Sequence, residues 1–306
     1  MRRHLLPLAA FIALALGCQS CGAEPEKPAA GPEAKPPAAE FRNAILISWD
    51  GLDRSVVKEL LKDEKLPNLA ALVKAGSLQD IQVKGHDTET RPGHAEMLTG
   101  LAAEVTGIKS NFEGEAVPEG TTIFERLKKS LGKDGITTVM ITGKAYVGTL
   151  VPAGSRASID SFDAGSRTAP TVGPLCLAAL EKHKQRRFFA FFHFLDPDSA
   201  GHGSGMDSKP YRQAAVTCDA WLGAMIELLK KEKLADATLI YVMADHGFDA
   251  GARVHSNAPD SWLATNDRAV ERGGIIADVP ATILARFGVE PDKLKPALLG
   301  RPLTGK

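Results

Sequence analysis

Four short runs of apolar, β-branched or aromatic residues constrain this chain most: NAILISW at 43–49, ITTVMIT at 136–142, RFFAFFHF at 187–194 and TLIYVMA at 238–244. Each has the length of a strand and none alternates polar with apolar residues. Such runs read as strands buried on both faces, the habit of parallel sheets. Helical patterns stand around them at 53–62, 67–75, 93–101, 121–131, 171–184, 210–232 and 279–287. Alternation of this kind predicts an α/β fold, a mostly parallel central sheet with helices on both faces, in a single large domain over residues 41–306. Sheets of that type bind ligands just beyond the carboxyl ends of their strands.

Three of the four runs close on a carboxylate. The first leads into Asp50-Gly51, the third into LDPDSAGH with Asp198 and His202 four apart, and the fourth into DHGF with Asp245 and His246 adjacent; His255 follows in RVHSNAPD. Taken singly, an Asp after a strand caps a helix or forms a turn, and a lone His is a hydrogen-bonded surface or core group. Three Asp and three His along one sheet edge are different, because their charge could not be packed together cheaply without cations. Mixed carboxylate and imidazole donors suit zinc, with manganese or iron as alternatives, better than magnesium or calcium.

Six side chains serve two divalent ions if a further group completes each shell, and Thr90 in HDTETRPGHAEMLTG is a hydroxyl in the right place. The polar run breaks at Arg91-Pro92-Gly93 and turns helical, with Ala95, Leu98 and Leu101 on one face. Thr90 is therefore expected just ahead of a helix N-terminus, where free N–H groups favour an anion, and it reads either as a cap or as a nucleophile.

The chain has 37 basic and 37 acidic residues, so no electrostatic case exists for binding a nucleic-acid scaffold. Arg2, Arg3 and His4 precede an apolar run from Leu5 to Leu16, too short for a membrane span and suited to an export signal over 1–17. ALGCQS at 15–20 resembles the lipobox of bacterial lipoproteins, with Cys18 as the lipidated residue, and 18–40 is a Pro/Ala/Glu-rich tether unable to build a core. The expected protein is an exported cell-envelope lipoprotein that meets the membrane only through its anchor, with a soluble periplasmic or secreted protein as the alternative. Cys176 and Cys218 fall in helical patterns of the folded part, where a disulfide is possible and buried thiols are commoner. There is no Gly-x-Ser-x-Gly elbow, and TGKAY at 142–146 lacks the upstream glycine and following Ser or Thr of a P-loop.

Taken in order, ILISWDGL, TETRPGHAEMLTG, TGIKSN, DPDSAGH, ADHGF, DVPATILARFGV and LLGRPL resemble the motifs of the nucleotide pyrophosphatase/phosphodiesterase branch of the alkaline phosphatase superfamily, over nearly all of 41–306. The resemblance implies an alkaline-phosphatase-like fold and hydrolysis of a small-molecule phosphate ester, of phosphodiester or nucleotide pyrophosphate type, by a monomer or dimer. It implies one metal held by Asp198, His202 and His255, and a second held by Asp50, Asp245 and His246 with the Thr90 oxygen. Thr90 would become a phosphothreonine, and Asn111 would donate to a phosphoryl oxygen together with the Thr90 N–H. The chain departs from many relatives in carrying Arg91 where they have an aromatic residue after the nucleophile, and in spacing His246 and His255 only nine apart where they carry a long insert. Substrate recognition is thus the part least carried over. Arg91 and Lys144 are candidates for a substrate's anionic group, although an exposed loop lysine is the simpler reading of Lys144, and Lys109 is a similar case. His86 and His94, which flank the nucleophile, read as capping, packing or supporting groups. The alternatives are a phosphomonoesterase, a sulfatase-like hydrolase, or a surface lipoprotein that binds metal without catalysis. Sulfatases oxidise a cysteine or serine to formylglycine, and threonine cannot give that aldehyde.

Overall fold

A computed structural model describes residues 41–112 and 114–305; the segments 1–17 and 18–40, expected to be an export signal and a tether beginning at Cys18, lie outside the described residues. Its centre is one eight-stranded sheet made of β1 (Asn43–Trp49), β2 (Ser77–Gln82), β3 (Thr137–Thr142), β4 (Ser161–Ala164), β5 (Phe188–Phe194), β6 (Thr238–Met243), β7 (Asp260–Thr265) and β8 (Gly274–Ile275). The order across the sheet is β4-β3-β5-β1-β6-β7-β2-β8. Strands β4, β3, β5, β1 and β6 are parallel, β7 runs antiparallel to both β6 and β2, and β8 lies parallel to β2. The four apolar runs are the contiguous middle of this sheet, as expected of strands covered on both faces.

Alternate residues of β1 divide the core. Ile45, Ile47 and Trp49 face a layer built with helices Arg54–Lys62, Pro67–Ala75, Ala169–His183 and Lys209–Lys231, while Ala44 and Leu46 face a layer built with Thr90–Thr99, Ile123–Leu131 and Asp278–Arg286. The helix starts are chemically specified. Asp53 accepts the Ser55 N–H, and Thr122 and Glu125 form a reciprocal capping box, which starts that helix at Ile123 rather than 121. Cys176 and Cys218 are both buried free thiols in the first layer, where burial pushes each well above the ordinary thiol range. No helix among the described residues is long and apolar enough to cross a membrane.

The parallel register places the site. Thr142 of β3, His193 of β5, Ser48 of β1 and Met243 of β6 stand side by side, so Lys144, Asp50 and Asp245 leave the sheet at one edge.

Candidate active site

Two trios of ligating side chains form at that edge. Asp50, Asp245 and His246 are all fully buried, with His246 Nε2 3.4 Å from Asp245 Oδ2 and 3.8 Å from Asp50 Oδ1. In the other trio, His202 Nε2 lies 3.3 Å from Asp198 Oδ1, and His255 Nε2 lies 3.7 Å from the same oxygen. In each trio the candidate atoms fall within 4.8 Å of one another. These are the two groupings that the family resemblance implies.

Hydrogen bonding leaves these atoms bare. The Nδ1 of His202 faces the Arg253 carbonyl at 2.8 Å, that of His246 the Gly247 carbonyl at 2.9 Å, and that of His255 the Thr88 carbonyl at 2.6 Å. A carbonyl only accepts, so each Nδ1 carries the hydrogen and each Nε2 presents a lone pair. The Nε2 atoms of His202 and His255 stand 3.1 Å apart, an arrangement of two lone pairs that calls for a cation. Asp50 Oδ1, Asp198 Oδ1, Asp245 Oδ2 and His246 Nε2 are buried without a hydrogen-bond partner. Leaving a buried polar group unsatisfied costs about 1–3 kcal/mol, more for a charged one. Four in one place, all belonging to the two trios, fit divalent metal ions of the zinc, manganese or iron type.

A third grouping, Asp50 with His94 and His193, has a different character. His193 Nδ1 accepts the Gly143 N–H at 3.2 Å, and its Nε2 donates to Asp50 Oδ2 at 2.7 Å. His94 is held by Ser48 Oγ at 2.9 Å and by the Thr90 carbonyl at 2.7 Å, with Asp245 Oδ2 at 3.2 Å from the same ring nitrogen. Both rings have their nitrogens engaged, so they hold Asp50, Asp245 and the start of the Thr90 helix in place. His94 thus has the supporting role expected of it. His193 escaped the sequence reading. Its signal was a single imidazole near the end of an otherwise apolar strand.

Glycines set the approach of the two trios. Gly51 has φ +64°, and a Cβ there would stand 3.0 Å from Asp198 Cβ, Asp198 Oδ1 and the Phe248 ring. A Cβ at Gly201 would come within 2.5 Å of the same ring, so the glycine of DPDSAGH lets its helix lie on the phenylalanine of ADHGF.

The helix that follows the polar run begins at Thr90 itself, and its cap is the extended residue Glu89. The expectation that Thr90 sits ahead of the helix as a cap is therefore corrected. Glu89 takes that backbone position and also accepts the Asn111 N–H, which leaves the Thr90 hydroxyl to face the site. Asn111 accepts the Arg91 N–H through Oδ1 at 2.8 Å, so its amide NH2 is directed elsewhere. The Thr90 N–H is one of those that a helix start leaves without an intrahelical partner.

Lys144 overturns the exposed-loop reading. It is buried, and its Nζ lies 2.6 Å from Asp198 Oδ2, 2.9 Å from Asp50 Oδ2 and 3.1 Å from Thr90 Oγ1. The parallel register carries β3 to the same edge as β1, and only tertiary structure reveals that. Arg91 is not drawn into the cluster; its guanidinium donates to the Gly114 and Glu115 carbonyls at 2.8 Å each. Lys109 forms an exposed pair with Glu104, and His86 bonds Glu96 Oε2 at 2.7 Å.

Burial opposes ionisation of all three carboxylates, as does Asp50 for the other two, yet each is held below its ordinary range. Lys144 and His193 hold Asp50 well below it, His202 and Lys144 lower Asp198, and His246 and His94 bring Asp245 to about 2. Burial likewise opposes the Lys144 charge, but Asp50 and Asp198 outweigh it and hold the lysine well above its usual range.

The sequence profile of the type I phosphodiesterase / nucleotide pyrophosphatase family matches residues 44–113 and 121–297. Ectonucleotide pyrophosphatase/phosphodiesterase family member 3 of Mus musculus is 28% identical over 226 residues, which cover 70% of this chain and 26% of that protein. The Mus musculus bis(5'-adenosyl)-triphosphatase enpp4 is 24% identical over 269 residues, 82% of this chain and 56% of its own length. The chain thus spans between a quarter and somewhat over half of these relatives. Among solved structures, murine ectonucleotide pyrophosphatase/phosphodiesterase 5, in complex with AMP, superposes with a TM-score of 0.62 at 14% identity, covering 81% of this chain and 95% of that one. A phosphonate monoester hydrolase from Silicibacter pomeroyi gives 0.61 at 17% identity, covering 85% and 75%. At these identities the structural likeness establishes the fold, an alkaline-phosphatase-like α/β domain.

Proposed function

This chain belongs to the type I phosphodiesterase / nucleotide pyrophosphatase family, and from that premise we propose that it hydrolyses phosphate esters through Thr90. The observation that carries the reading is four buried, unpartnered ligand atoms at one sheet edge, with Lys144 joining two of their carboxylates to a threonine hydroxyl at a helix start.

Asp198, His202 and His255 would hold one divalent ion, and Asp50, Asp245 and His246 the other. When bound, the ions supply the positive charge that stabilises an ionised hydroxyl and the phosphoryl oxygens. The chain's own groups do the rest. Thr90 Oγ1 attacks phosphorus, a bond forms between them, and the bond to the ester's leaving oxygen breaks. The Thr90 N–H and the Asn111 amide donate to a phosphoryl oxygen, aided by the positive end of the Thr90–Thr99 helix. Water then attacks phosphorus, the bond to Oγ1 breaks, and the phosphate product leaves with Thr90 restored. His94 and His193 hold Asp245 and Asp50 throughout.

The substrates are small phosphate esters, and phosphodiesters, nucleotide pyrophosphates and phosphate monoesters are to be tested side by side. Thr90→Ala is expected to lower turnover on the order of 10⁴-fold or more with its metal content unchanged, whereas Thr90→Ser retains measurable activity and yields a phosphoserine mass after acid quenching. Near-normal turnover by the alanine variant would remove Thr90 as the nucleophile. We also assign the protein to the cell envelope, lipidated at Cys18 and tethered by 18–40. Cys18→Ser is expected to move it from the membrane to a soluble exported fraction without changing its chemistry, and an unchanged distribution would refute the anchor.

A further inference from the structure

Lys144 is the group that neither trio needs. It binds Asp50 and Asp198 through their Oδ2 atoms, whereas the unpartnered oxygens of the same residues are the two Oδ1 atoms. Lysine and metal ions therefore use different faces of the same carboxylates, and the lysine is no stand-in for an ion. Its Nζ also lies 3.1 Å from Thr90 Oγ1. An oxygen on a phosphorus attached to Oγ1 is two bonds further on, within hydrogen-bond reach of that ammonium.

The charges sharpen the point, resting on the two-ion reading above. Two divalent ions against the carboxylates of Asp50, Asp198 and Asp245 leave one positive charge in excess, which matches the single negative charge of a phosphodiester. A phosphate monoester carries close to two negative charges above about pH 6. We propose that Lys144 is a third, covalently attached cation that makes this site select a dianionic phosphoryl group, a phosphate or phosphonate with three free oxygens, over a monoanionic diester. The Asn111 and Thr90 donors, with the ions the two trios would hold, would serve two non-bridging oxygens in either class. Lys144 serves the third, which a diester lacks.

The test uses the zinc-loaded chain carrying Thr90→Ala, in which bound anions persist. Inorganic phosphate and dimethyl phosphate are titrated calorimetrically at pH 8 with Lys144 intact and with Lys144→Met. The expected result is a loss of about 100-fold in phosphate affinity, against less than about threefold for dimethyl phosphate. Lys144→Arg, which keeps the charge, should stay within about tenfold of the lysine for phosphate. With Thr90 present, the kcat/KM ratio of an aryl phosphate monoester to its diester should fall by a similar factor of about 100 in Lys144→Met. Equal losses for both anions would overturn the proposal, as would release of zinc from Lys144→Met, because the lysine would then be organising ligands rather than binding the anion. If neither anion binds even with Lys144 intact, the two-ion reading itself fails and this inference falls with it.

Discussion

The two trios share a lysine, yet they are built in different ways. Asp50, Asp245 and His246 leave the ends of two adjacent central strands and are fully buried, with His193 holding Asp50 Oδ2 and the Gly51 N–H holding Asp245 Oδ1 from behind. Asp198 and His202 lie on the short helix Asp196–Ser204, and His255 lies in the loop before β7; the His202 side chain is 46% exposed. The first trio is placed by the ends of β1 and β6. The second depends on a loop pinned by the Thr88 carbonyl and on a helix resting against Phe248, and its His202 is open to solvent. Rigidity belongs to one half of the site and access to the other.

The sharpest way to break this contrast is to remove one member of each trio and measure unfolding in denaturant with a chelator present. Asp50→Ala leaves Lys144 and His193 short of a buried partner and is expected to cost about 3–5 kcal/mol. His202→Ala removes a half-exposed ring and is expected to cost less than about 1 kcal/mol. Equal costs would mean that the two halves are equally dependent on their frameworks.

Next in size is an effect on metal affinity confined to one trio. His193→Ala removes the donor that orients Asp50, so affinity at the buried trio should fall about 10- to 100-fold while the open trio keeps its own. Competition with a chromophoric chelator reads both sites, and a parallel loss at both would dissolve the distinction.

The smallest effect is on pH dependence in the metal-free protein, where the trios should differ in sign. Asp245 is depressed to about 2 from an unfolded value near 3.9, so its contribution to stability is present above about pH 4 and is lost as pH falls towards 2. His202 is raised, chiefly by the Asp198 carboxylate facing its Nε2, which accepts a hydrogen only from the protonated ring, so its contribution is full below about pH 6.5 and is lost as pH rises through its folded value, and solvent screening keeps it small. The Tm difference between wild type and His202→Ala should accordingly close in alkali, and that between wild type and Asp245→Asn should close in acid. The same trend for both pairs would contradict the assignment.

What the sequence made legible follows the same division. The strands behind the buried trio were readable to within a residue, because a strand covered on both faces has little choice of composition. The antiparallel flank was not. β2 is SLQDIQ, largely part-exposed, and β8 has two residues, so neither carries a period long enough to recognise. DPDSAGHGS reads as a loop because Asp, Gly and Ser are weak helix formers, yet it forms the helix Asp196–Ser204, with Pro197 in the first turn and packing against Lys209–Lys231. The six candidate ligands were visible because five stand in motifs just after strands and His255 follows in the next loop. Lys144 was misread and His193 missed because their roles come from which strands are neighbours, and a strand's own residues do not encode its neighbours.

The carbonyls that fix the three candidate metal-ligating imidazoles belong to the main chain at Thr88, Gly247 and Arg253. No side-chain replacement at those positions deletes a carbonyl, so the alignment of the rings is insulated from drift in the sequence around them. Arg253 and Val254 at the rim of the site can be exchanged for residues of other size or charge while His202 and His255 keep their aim. Such a pocket is evolvable: its ligand preference can be rewritten residue by residue at the mouth without re-inventing the chemistry beneath.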